Sequence, residues 1–280
     1  MKLALGTVQF GLDYGVTNTN GVVSINEARK IINYAKKNQI KTLDTAPGYG
    51  DSEQVLGRIG IDDCNVVTKT TFLKNNVDEV IDNFYKSLKS LNVASVKGIL
   101  IHNILDTKNS QFNILFDRLI MLKKEGLVKK IGFSVYTPED VNYLLEYFDF
   151  DLIQLPVNVF DNRLIESRQL YTLKKKGVEI HARSIFLQGL LLNFNNLPSY
   201  FSTWKNVFNK YQVMVEKSEL SLLEYALNYV LNIQEIDKVL VGVNSEVQLK
   251  EIIQSEKKII LNAYPINDIN LLNPSLWSDK

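Results

Sequence analysis

Cysteine is nearly missing from this chain of 280 residues: Cys64 is the only one, which excludes an intramolecular disulfide and a thiolate metal cluster. That usage suits a reducing compartment, and a cytoplasmic location is the expectation. An excess of charge of one sign is also lacking, with 32 Lys plus Arg against 31 Asp plus Glu and a net charge of +1. Nothing in that balance draws the chain toward nucleic acid or an anionic membrane, so neither is expected as a partner and any basic site is local. Although 45% of the residues are hydrophobic, no run approaches the roughly 20 apolar residues that cross a bilayer. The opening MKLALGTVQFG is interrupted by Gly6 and Gln9 and carries no small-residue cleavage site, so it does not read as a secretory signal. There is no Pro/Gly/Ser-rich linker, low-complexity tract or second composition regime. One domain over residues 1–280 is expected, with the oligomeric state left open.

What is present is an alternation. Short apolar runs that read as buried strands occur at Lys2–Leu5, Lys41–Thr45, Asn65–Lys69, Lys97–His102, Lys130–Ser134, Leu152–Leu155, Glu179–Ser184 and Lys238–Val241. Between them lie segments of helical period, such as INEARKIINYAKKN, VDEVIDNFYKSLKSL and FNILFDRLIMLKKEG. RLIESRQLYTLKKKG follows the sixth strand, a long segment through YFSTWKNVF to NYVLN follows the seventh, and SEVQLKEIIQS the eighth. Eight strands each followed by a helix imply a parallel sheet covered on both faces. GxGxxG is absent after the first strand, so a closed (β/α)8 TIM barrel is expected over an open doubly wound sheet. Helix ends fit this division. Asp51 with Gln54 reads as a capping pair, Thr137-Pro138-Glu139 as a capped start, and Gly126 and Gly177 as left-handed stops after Lys-rich ends.

In this architecture chemistry belongs at the C-terminal ends of the strands. Asp44 ends the second strand candidate, Tyr49 follows in its loop, Lys69 ends the third and His102 the fourth. Each has a plain structural explanation: a turn acid, a packing phenol, a buried amine with a partner, a structural imidazole. Four such accidents on one rim are harder to accept. Together they suit carbonyl reduction, in which hydride reaches carbon and the developing alkoxide needs a proton. Tyr49 is the candidate acid, poorly matched at its ordinary pKa of about 10. An ammonium about 4 Å away at an effective dielectric of about 20 favours phenolate by about 4 kcal/mol, so Lys69 is expected to lower that pKa by up to about three. Asp44 would hold Lys69 charged, partly offsetting its effect, and His102 would donate to the substrate carbonyl.

The runs LGTVQFGLDYG, LDTAPGYGDSEQVLG, VVTKT, GILIHN, IGFS, IQLPVNVFD, RSIFLQGLL and VGVNSEVQLKE resemble the aldo-keto reductase superfamily from end to end. DTA-x-x-YG-x-SE-x-x-LG, in order with Lys69 and His102, matches the family's four-residue catalytic pattern. The resemblance implies a barrel that reduces aldehydes or ketones with NADPH and needs no metal. It places Ser134 and Gln154 on the nicotinamide carboxamide, with Asn158 shaping the same wall, and Ser184 in the loop after strand seven. Ser134 is followed by Val135 where the family has Asn. Arg183 stands where many members stack a Tyr on nicotinamide; its guanidinium either stacks likewise or pairs with a rim acid. Gly242, Asn244, Ser245, Gln248 and Glu251 complete the cofactor contacts, with a helix N-terminus offered to phosphate. The basic residues that usually clamp the 2′-phosphate are missing there, Lys250 being one substitute, so NADH stays open beside NADPH.

Tyr14, Asn103, Phe160 and the segment Leu187–Trp204 are candidate substrate contacts, and Trp277 either covers the mouth or patches the side. The Asn-rich stretch of that segment suggests a hydroxylated substrate, such as a sugar-derived carbonyl. Two other readings stand: a non-catalytic nicotinamide-binding regulatory subunit, and a lyase or epimerase using Lys69 as a Schiff base.

Overall fold

A computed structural model describes residues 1–277. The last three positions of the expected 1–280 domain lie outside the described residues. Eight strands run β1 Leu3–Gly6, β2 Thr42–Asp44, β3 Asn65–Lys69, β4 Val96–Ile101, β5 Val128–Ser134, β6 Leu152–Pro156, β7 Glu179–Arg183 and β8 Lys238–Gly242. All pair in parallel in sequence order, and β8 returns to β1 from Leu3↔Val239 to Gly6↔Gly242, closing the expected barrel. The helices are α1 Ile25–Lys37, α2 Ser52–Ile59, α3 Val77–Leu91, α4 Phe112–Lys124, α5 Pro138–Tyr147, α6 Arg163–Glu166, α7 Gln169–Lys175, α8 Lys205–Glu216, α9 Leu222–Leu231, α10 Glu246–Gln254 and α11 Ile269–Leu272. None is long and apolar enough to cross a membrane among the described residues.

The strands alternate because side chains point to opposite faces with a period of two. Val67, Leu100 and Leu152 form their own small cluster inside the barrel, while Val66, Ile99, Ile101, Ile153 and Leu155 join the core under the helices. Two residues further along the same inner face come Lys69, His102 and Gln154. The alternation that fills the barrel's centre with apolar groups therefore lifts three polar ones to its rim.

Local signals decide the helix ends. Thr137 Oγ1 accepts from Asp140 N–H while the Asp140 carboxylate accepts from Thr137 N–H, with Pro138 next to the cap. Gly126 and Gly177 have φ of +81° and +77°, as left-handed stops need. Asp51 is a correction: its side chain makes no capping hydrogen bond, because its backbone (φ −83°, ψ 8°) is not the extended conformation a capping side chain needs. The sixth crossover also differs from one continuous helix. It breaks at Arg168, φ +62°, into α6 and α7. The seventh divides into two short 3-10 pieces, then α8 and α9, the last started by a Ser221–Glu224 capping box.

Candidate active site

Asp44 and Lys69 meet across the rim. Lys69 Nζ donates to Asp44 Oδ1 at 2.7 Å and to Thr45 O at 3.0 Å, with the two residues 2% and 4% exposed. Gln154 Nε2 donates to the other carboxylate oxygen, Oδ2, at 2.7 Å. The carboxylate is thus held from both sides, by an ammonium and by an amide. Lys69 Nζ stands 4.8 Å from the centroid of the Tyr49 ring, and that ring meets His102 edge-on, centroids 6.3 Å apart at 85°. The loop carrying Tyr49 is pinned to the barrel through Ser52, whose Oγ donates to Thr7 O at 2.9 Å, while Thr7 Oγ1 donates to Asp44 O, also at 2.9 Å.

The electrostatics follow from burial and one strong charge pair. Burial alone would discharge Lys69, yet the Asp44 carboxylate and the Tyr49 phenol raise its pKa above the ordinary lysine value. His102 is pushed down to about 4, by burial first and by the Lys69 charge second, so it is a neutral imidazole at pH 7. Tyr49 departs from expectation. Burial outweighs the pull of Lys69, Asp44 adds to it, and the net direction is upward. The cost of burying a phenolate exceeds the attraction of the neighbouring ammonium.

One cleft of about 580 Å³, within the roughly 300–1,000 Å³ of ordinary ligand sites, runs from these four groups to the junction of β8 and α10. Asp44, Tyr49, Lys69, His102, Ser134, Gln154, Arg183, Ser184, Gly242, Asn244, Gln248 and Glu251 all line it. Ser245 does not: its Oγ accepts from Gln248 N–H and caps α10. Lys250 is exposed and also off the cleft. Gln154, expected to face a carboxamide, has its amide nitrogen committed to Asp44. Asn158 lies behind the wall, donating from Nδ2 to Ser184 O at 3.2 Å.

Arg183 pairs with no acid among the described residues. Its guanidinium lies 4.1 Å from the centroid of the Tyr136 ring and donates to Val135 O at 3.0 Å and to Ser184 Oγ at 3.2 Å. Of the expected substrate contacts, Tyr14 lines the cleft, as do Gln188, Gly189 and Leu192 of the 187–204 segment. Asn103 instead caps the turn after β4, accepting from Leu105 N–H. Phe160 is fully buried against Phe208 and Tyr211, and the Asn193 side chain accepts from Asn195 N–H rather than facing the cleft. Trp277 packs edge-on against Phe201, away from the cleft.

Gln9 and Tyr136 went unread as site residues. Gln9 reaches β8 closely enough that a Cβ on Gly242 would lie 2.4 Å from its Nε2, and its Oε1 is buried with no hydrogen-bond partner among the described residues. The signal for Gln9 was a polar residue interrupting an apolar run just past the first strand.

Residues 2–273 match the model of the Aldo/keto reductase family. Among curated relatives, a glyoxal reductase of Bacillus subtilis is 27% identical over 175 residues, 60% of this chain and 61% of that protein. A D-arabinose 1-dehydrogenase of Saccharomyces cerevisiae is 24% identical over 184 residues, 58% of this chain and 55% of that one. The matched region thus spans less than two thirds of either relative's length. In three dimensions the chain is similar to an aldo-keto reductase of Bacillus halodurans in its holo form, with TM-score 0.75, 21% identity, and coverage of 93% of this chain and 88% of the other. It is also similar to a glycerol dehydrogenase of Gluconobacter oxydans, with TM-score 0.72 and the same identity and coverage. At that identity the likeness speaks for the fold.

Proposed function

This chain belongs to the aldo/keto reductase family, and on that premise we propose that it reduces an aldehyde or ketone with a reduced nicotinamide dinucleotide bound along the cleft. The observation that carries the reading is the continuity of one cleft between the Asp44–Lys69–Tyr49–His102 group and the β8–α10 junction. The fit is also chemical. The residues along it combine backbone-rich strand ends, amides and an aromatic–guanidinium stack, which suits a long polar ligand with a planar ring. Ser134, Arg183 and Ser184 would hold the nicotinamide end; Gly242, Asn244, Gln248 and Glu251 would hold the adenosine end. When bound, the reduced nicotinamide supplies hydride to the carbonyl carbon.

The chain's own residues manage the proton. Tyr49, with its pKa raised by burial, stands protonated and gives its proton to the carbonyl oxygen. The phenolate left behind lies beside the Lys69 ammonium, which Asp44 keeps charged and in place. Neutral His102 offers an N–H to the same oxygen without adding a competing charge. Gln154 steadies Asp44.

For substrate we propose a small hydroxylated carbonyl. The support is the polar rim of Tyr14, Tyr136, Arg183 and Gln188, together with relatives named for glyoxal and arabinose. A Schiff-base role for Lys69 fits poorly, since a nucleophilic amine must be neutral and this one is paired to a carboxylate with its pKa raised. The test is Tyr49→Phe. We expect cofactor affinity to persist while kcat falls by at least about 10²-fold. Turnover at the wild-type rate would remove Tyr49 from the mechanism, and a borohydride-trapped adduct on Lys69 would replace the mechanism altogether.

A further inference from the structure

The cleft's charges are unevenly placed. Among the described residues only two cationic side chains line it, Lys69 and Arg183, both at the Tyr49 end, and Lys69 is already paired with Asp44. The far end, where β8 runs into α10, is lined by Asn18, Asn244, Gln248 and Glu251 and by no lysine or arginine. The Glu251 carboxylate has no cation within ion-pair distance among the described residues.

Part of the start of α10 is also engaged. Glu246 N–H donates to Glu27 Oε1 at 2.9 Å, Gln248 N–H to Ser245 Oγ at 3.2 Å, and Asn244 N–H to Gln248 Oε1 at 2.7 Å. Three donors that a helix N-terminus would turn toward a phosphate therefore have acceptors, one of them a carboxylate. The Glu246 N–H and then Lys30, 3.0 Å away, hold Glu27 below the usual carboxylate range, so it is ionised.

The neutral groups point the same way. Asn18 Nδ2 donates to Asp13 Oδ1 and Gly21 O, which orients that amide; its Oδ1 accepts from Asn244 Nδ2 at 3.1 Å, which orients the second. Asn244 Oδ1 is left buried without a donor, as is Gln9 Oε1 nearer the barrel. This end of the cleft thus carries amides and the Glu251 carboxylate, and no cation among the described residues.

We propose that it receives an unphosphorylated adenosine ribose, so that the protein binds NADH in preference to NADPH. A ribose hydroxyl can donate to the Glu251 carboxylate. A 2′-phosphate, with only acceptor oxygens and a charge of roughly −1.5 to −2, would face Glu251 with no cation lining that end of the cleft among the described residues. The inference rests on the function proposed above and adds the identity of the dinucleotide.

The experiment is a titration of the purified protein with NADH and with NADPH, followed by nicotinamide fluorescence at low and at physiological salt. We expect NADH to bind at least about tenfold tighter, with the gap narrowing as salt screens the repulsion. Gln248→Arg and Glu251→Gln should each move the ratio toward NADPH, the former by about tenfold as a charge-assisted bond forms. NADPH binding as tightly as NADH would overturn the inference, as would a ratio that neither variant moves. Binding of neither dinucleotide would overturn the functional reading and this inference with it. Tight NADH binding without carbonyl turnover would sink the function and leave the preference standing.

Discussion

Asp44 uses both carboxylate oxygens at once, one on Lys69 and one on Gln154, at 2.7 Å each. A buried pair of this kind costs much more to break than it contributes when intact, because the surviving charge is left without a partner. Asp44→Asn should therefore destabilise the fold by about 3 kcal/mol in urea denaturation. It should also lower kcat more than it raises KM, since Lys69 loses the charge that keeps it an ammonium. A variant as stable as wild type would mean that Lys69 does not depend on Asp44. His102 gives a pH signature. Its folded pKa of about 4 lies below the ordinary 6.5, so between these values the unfolded chain binds a proton that the native chain refuses. Stability attributable to His102 is present above pH 6.5 and falls as the pH drops toward 4, by at most about 3 kcal/mol. Denaturation at pH 7 and at pH 4.5 should show wild type losing more stability than His102→Gln; equal losses would contradict the burial argument. Much of this site could be read in the sequence. Asp44 and Lys69 end strands that were legible as apolar runs, His102 directly follows another, and Tyr49 lies in a loop between the first two. The partner of Gln154 and the direction of the Tyr49 pKa could not be read, because both depend on what faces each group across the barrel.

Among the elements, α2 and α3 approach closely at Gly57. A Cβ there would lie 2.0 Å from Ser90 O and 3.0 Å from Leu91 C. In an open helix Gly→Ala gains about 1 kcal/mol of propensity. Here the methyl meets the backbone of the neighbouring helix, and Gly57→Ala should cost about 1–3 kcal/mol, read as a lower urea midpoint. A gain would show that the two helices do not pack as described. The eight strands were legible as apolar runs and the capping of α5 as Thr-Pro-Glu. The division of the sixth and seventh crossovers was not, since helical periodicity continues across a backbone kink that only packing requires. Ser245 and Asp51 make the same point: one caps a helix where a ligand contact was expected, the other makes no cap where one was expected. Backbone geometry decides both.

For the whole molecule, a net charge of +1 conceals a polarised cleft, whose free cation among the described residues, Arg183, lies at the Tyr49 end while the Glu251 carboxylate lies at the β8–α10 end. Composition could exclude long-range attraction to polyanions but not locate that asymmetry, which arises only when the barrel closes β8 onto β1 and sets Asn18 beside Asn244. If one cleft holds both the hydride source and the proton donor, dinucleotide oxidation and carbonyl consumption are coupled, and both can be followed together, in one reaction, across aldehydes, ketones and reducing sugars. We expect at least one carbonyl to be consumed in a one-to-one ratio with the dinucleotide. A dinucleotide that binds and is oxidised by none of them would contradict the account.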